Sequence, residues 1–152
     1  MTILVAAIAI LVAVGAVLPP LLLRRSRDRL AAEILARAGA PPALLTPADR
    51  CVGRFRRVPG VLGLTGETIF FESRHERRTD LPLRTIRRIS SGNRMTTTGR
   101  RLLRAEVLTL VGTDAETREF VMPRASVYQW RQHLGAWAAG QKAAAEVVKP
   151  GR

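Results

Sequence analysis

The first 23 residues, MTILVAAIAILVAVGAVLPPLLL, contain no charged side chain. A helix of that length spans about 34 Å at 1.5 Å per residue, and a bilayer core takes roughly 20 apolar residues. Residues 1–23 are therefore expected to form a single transmembrane helix. Arg24, Arg25, Arg27 and Arg29 follow at once, and no Lys or Arg precedes the segment. The positive-inside rule then puts the N-terminus outside the plasma membrane and the rest of the chain in the cytoplasm. The competing reading is a cleaved signal peptide. Ala13-Val14-Gly15 resembles a cleavage site, but the basic n-region that such a peptide requires is missing. Ala6, Ala9, Ala13 and Ala16 recur at spacings of three and four. A stripe of small residues lets a second helix approach closely in lipid, so these four are candidate helix–helix contacts.

Residues 24–49 read as a connector. Leu30, Ile34 and Leu35 give residues 24–38 a narrow apolar stripe with arginines opposite, the pattern of a basic helix lying on anionic headgroups. A simple extension of the membrane helix into water is the alternative. Gly39, Pro41, Pro42 and Pro47 stop the helix, which makes residues 39–49 a linker.

From residue 50 to about 140 the periodicity is that of a folded domain, and residues 141–152 form a tail. An alternating run over 50–58 precedes a turn signal at Pro59-Gly60. Runs 61–65 and 68–72 flank Gly66-Glu67 as a hairpin. Leu81-Pro82-Leu83 suits an edge strand. Further strands are expected around Ile86 and Ile89, over 101–111, and over 117–122. Val127, Trp130, Leu134 and Trp137 then recur at three and four, which predicts a helix with one apolar face. Ser126 and Gln129 have the spacing of a capping box at its start.

These residues resemble a known family. Gly63-Leu64-Thr65 running into Ile69-Phe70-Phe71 is similar to the opening of GRAM and bacterial pleckstrin-homology-like (PH-like) domains. Leu81-Pro82-Leu83 with Ile86 and Ile89, then Leu108-Leu110, Glu119-Phe120-Val121 and the Trp130 helix, resemble the later strands and closing helix. The resemblance covers roughly residues 50–139. It implies a mainly-β PH-like domain: two antiparallel sheets, about seven strands and a C-terminal capping helix, here behind an N-terminal single transmembrane helix. It does not fix a ligand.

Catalytic chemistry finds little support. His75 and His133 are the only histidines and lack convergent partners for a metal or an acid–base pair. Cys51 is alone, which excludes a disulfide framework. No phosphate-binding G-x-x-x-x-G-K loop occurs. We expect no catalytic residue, no metal and no cofactor, and hence a protein that is not an enzyme.

The charge is the remaining signal. Lys and Arg number 25 against 12 Asp and Glu, a formal +13. Three basic groups stand out: Arg54, Arg56 and Arg57; Arg84, Arg87 and Arg88; Arg100, Arg101 and Arg104. They are the candidate lipid- or partner-binding residues. PH domains that bind phosphoinositides carry basic residues on the first hairpin, and the resemblance puts Arg54, Arg56 and Arg57 loosely there. Weak attraction to an anionic leaflet is the plainer expectation. The chain thus reads as a single-pass, membrane-anchored cytoplasmic module for binding or scaffolding, engaging a protein partner, a second copy of itself, or the leaflet. An accessory subunit of a larger membrane or transport complex is the alternative. Nucleic acid is the less favoured partner, because aromatics are only 5% of the chain and a stacking platform needs exposed rings.

Overall fold

A computed structural model describes residues 22–53 and 56–147, with side chains as far as residue 138. A helix over residues 22–37, α1, comes first. Seven strands follow: β1 (Leu44–Val52), β2 (Arg56–Thr65), β3 (Thr68–Glu72), β4 (Thr79–Pro82), β5 (Ile86–Gly92), β6 (Ala105–Gly112) and β7 (Thr117–Pro123). A single 3-10 turn, Leu83–Thr85, joins β4 to β5, and helix α2 (Arg124–Val147) closes the chain.

All seven strands belong to one antiparallel sheet, ordered β4-β3-β2-β1-β7-β6-β5. This overturns the expected two-sheet PH-like sandwich. The seam is β1. It pairs with β2 along its whole length, from Leu44↔Leu64 to Val52↔Arg56, but with β7 only at Asp49↔Val121, Arg50↔Phe120 and Cys51↔Glu119. The sheet curls about that narrow junction. Phe71 on β3 and Phe120 on β7 are three strand spacings apart, about 14 Å in a flat sheet. Their ring centroids lie 5.6 Å apart.

The concave side holds the main core. Leu62, Leu64, Ile69 and Phe71 from one arm meet Leu108, Leu110, Phe120 and Met122 from the other. Val127, Trp130 and Leu134 of α2 fill the space between, and all three are buried. The apolar face read from the period of three and four is therefore the one that packs.

β1 begins inside the stretch expected to be linker, and Pro47 is why the signal was hidden. A proline cannot donate to a ladder and is normally kept from central strands. At Pro47 the strand has β2 on one side only, since pairing with β7 starts at Asp49. The expected turn at Pro59-Gly60 lies instead within β2, where Gly60 pairs with Ala48. A Cβ on Gly60 would overlap the Phe71 ring and the Glu72 carbonyl. The real reversal follows β1 at Gly53, which has φ +62°. Similarly, the strand expected from residue 101 starts at Ala105, and Leu103 before it is exposed. α2 starts at Arg124, so Ser126 lies inside its first turn rather than at a cap.

The convex side is covered by two elements. Leu30 and Ile34, one helical turn apart, bury against Val61 and Phe70. Ion pairs fasten α1 there: Arg27 to Asp49, Arg37 to Glu72 at 2.6 Å, and Glu33 to Arg74 at 3.2 Å. The apolar stripe expected to lie on headgroups covers the sheet instead, while the expected continuation from a membrane helix falls at residues outside the described ones. Leu102 and Met95, from the segment between β5 and β6, cover the other arm at Val107 and Val121.

No helix among the described residues is long and apolar enough to cross a membrane. The transmembrane segment expected over residues 1–23, and with it Ala6, Ala9, Ala13 and Ala16, lies almost wholly outside the described residues.

Candidate functional site

The arginines singled out in the sequence do not converge on one site. Arg54 lies outside the described residues. Arg56 and Arg57 open β2 and are exposed, and Arg56 reaches Glu76 at 3.4 Å. Arg100 and Arg101 sit on the segment between β5 and β6, where Arg101 bridges to Arg94. Arg84 occupies the 3-10 turn, and Arg87 and Arg88 lie on β5. Among the described residues these positions are spread over several elements and do not form one head-group pocket on the first hairpin.

Arg87 and Arg88 do join a site that sequence reading missed. A groove of about 700 Å³ runs between β5 and α2. Ile86, Ile89, Leu134 and Trp137 supply its apolar surface, and Arg87, Arg88 and Arg131 its charge. Its size is that of small-ligand and peptide sites. β5 is the last strand of the sheet and pairs only with β6. A register shift between Ile86 and Arg88 puts one extra residue into the strand. That bulge is what lets Ile86 and Ile89, three apart, both pack against the core. Arg131 follows the buried Trp130 on α2 and is exposed. Its position beside the apolar stripe was legible, but nothing in the sequence ties it to β5.

Two features bear on what the groove can bind. First, most of the described carboxylates are engaged elsewhere. Asp49, Glu33, Glu72, Glu76 and Asp80 pair with arginines on α1, on β1 and in the loop between β3 and β4. Asp114 and Glu116 pair with Arg118, and Glu106 with Arg124. Among the described residues no carboxylate pairs with Arg87, Arg88 or Arg131. Second, the Trp137 indole Nε1 is buried without a hydrogen-bond acceptor among the described residues. Buried donors normally find partners. Gly135, on the same wall, has open space where a Cβ would stand.

Other titratable groups have structural explanations. Glu119 is buried on β7 and accepts hydrogen bonds from the Thr96 amide and the Thr97 hydroxyl, clasping the segment between β5 and β6. Burial pushes the Cys51 thiol up to about 11, against a smaller opposing pull from Arg57. A thiol so placed stays protonated at neutral pH and is a poor nucleophile. His75 and His133 are exposed. Among the described residues no group of three or more His, Cys, Asp or Glu is placed to hold a metal ion.

A curled antiparallel sheet closed by a helix, with a basic groove at one edge, defines the class to which the molecule belongs. No family model matches the chain, and no curated protein is similar to it. Among solved structures, it is similar to the crystal structure of the C-terminal domain of an unknown protein from Leishmania infantum. The TM-score is 0.53 at 11% identity, covering 73% of this chain and 96% of that one. That likeness is one of fold alone.

Proposed function

We propose that this chain is a binding and scaffolding module rather than an enzyme, and that it docks a protein partner in the groove between β5 and α2. The observation that carries this reading is the convergence of Arg87, Arg88 and Arg131, none of them paired with a carboxylate among the described residues, around one apolar groove. An apolar surface gives affinity through burial. Charges around it select the partner and raise the rate of encounter.

A photo-activatable amino acid at Ser91, inside the groove, tests this in cells. A discrete crosslinked product that disappears in Gly135→Phe supports the reading. The added ring enters open space, so the domain keeps its fold while the groove is filled. A product of equal yield from Tyr128, an exposed side chain that does not line the groove, would put the interaction elsewhere.

A further inference from the structure

Resting on that reading of the groove, we infer that its occupant is an acidic polypeptide segment in extended conformation, which joins the sheet as an added strand along the free edge of β5. Three observations combine. β5 ends the sheet, so half of its backbone donors and acceptors face away from β6 toward the groove side. An extended chain is the ligand that satisfies such a row. Side chains alternate on the strand: Ile89 and Ser91 lie on the face that packs toward α2, and Arg88 and Ser90 on the other. A paired segment with apolar residues on one face and carboxylates on the other matches both. Arg88, on the face away from α2, meets the carboxylates of such a segment, which a guanidinium binds in two-point geometry, while Arg131 on α2 borders the groove on the other side.

The same arginines decide against a second copy of this edge. Two β5 strands brought together would oppose Arg87 and Arg88 with Arg87 and Arg88. Like charges directly opposite on neighbouring strands are destabilising. A bulge and charged side chains are the devices that keep sheet edges from pairing indiscriminately. Here they admit an acidic strand and reject a basic or identical one.

The probe is a blocked peptide as long as β5, alternating glutamate with valine, added to the full chain at low salt. Three comparisons accompany it: the lysine–valine counterpart, the glutamate peptide with alternate amides N-methylated, and a single-stranded oligonucleotide of equal charge. The glutamate peptide is expected to bind and to slow hydrogen exchange in residues 86–92 at least tenfold. The N-methylated form, which keeps charge and apolar area but loses main-chain donors, is expected to bind at least tenfold more weakly. The lysine peptide is expected not to bind, and Arg87→Glu with Arg88→Glu should invert that preference. Equal binding of the N-methylated form, or binding without protection of β5, overturns strand addition while leaving the groove as the docking site. Binding undiminished by Gly135→Phe overturns the groove itself. No binding by the glutamate peptide at millimolar concentration, or a preference for the oligonucleotide, overturns the acidic-strand inference.

Discussion

The Trp130 indole Nε1 donates a hydrogen bond to the Thr46 hydroxyl at 3.1 Å, across 84 residues of sequence. Both side chains are buried. The bond ties the middle of α2 to β1, the strand that joins the two arms of the curled sheet. It explains how a large polar-tipped aromatic is tolerated at the centre of the core.

Thr46→Val keeps the shape of the site and leaves the indole N–H without an acceptor. It should cost about 1–3 kcal/mol, the penalty for an unsatisfied buried donor. Trp130→Ala should cost about 3–5 kcal/mol, as a large cavity opens. Urea unfolding of both variants measures the difference. Equal loss in the two would mean that the hydrogen bond, not packing, carries the contribution of Trp130.

Gly63 sits opposite Phe70, and a Cβ there would overlap the ring. The ring cannot easily withdraw. Leu30 and Ile34 of α1 pack in the same cluster, and the Arg78 guanidinium lies 4.1 Å from its centroid. Gly63→Ala should therefore destabilise by about 1–3 kcal/mol, as overpacked sites do. Adding Phe70→Leu should recover part of the loss. A neutral Gly63→Ala would show that α1 yields.

The Glu119 clasp can be opened without disturbing the sheet. Glu119→Gln keeps one acceptor and should change little. Glu119→Leu removes both, leaving the Thr96 amide without its partner. Hydrogen exchange at Thr96 should then accelerate by at least tenfold, with the β6 amides unaffected. Acceleration across β6 as well would make the clasp part of the global fold.

Cys51 gives a pH signature. Its thiol is raised in the folded state to about 11, whereas an unfolded thiol titrates near about 8.5. Below that lower value both states hold the proton, and the stability tied to the thiol is fully present. As pH rises through the interval, the unfolded chain loses its proton first, so stability falls. Wild type should lose stability faster than Cys51→Ala between about pH 9 and 11. Parallel profiles would mean that the folded thiol ionises as freely as an unfolded one.

A fragment beginning at residue 50 should fail to fold, because it lacks most of β1. A fragment over 22–147 retains that strand and α1, and should melt cooperatively. Circular dichroism on the two separates these outcomes. A cooperative melt for the shorter fragment would mean that β2 and β7 can do without the seam.

The sequence by itself determined the local elements. Alternation located β3 and β7, Pro82 marked β4 as an edge strand, and a period of three and four named Val127, Trp130 and Leu134 as the buried face of α2. Such signals survive because each depends on neighbours within a few residues. It also placed Arg87 and Arg88 among the candidate binding residues, but gave no reason to prefer them over Arg56 or Arg100. Only the tertiary structure decided that the strands form one curled sheet. That outcome depends on β1, whose signal Pro47 broke, and on three residue pairs between β1 and β7. It alone decided that α1 packs on the convex side, since an apolar stripe does not say what it will cover. It alone brought Arg131 and Trp137 beside β5, which lies about 40 residues earlier in the chain. Long-range juxtaposition is set by the whole sheet's curl, and no local pattern encodes it.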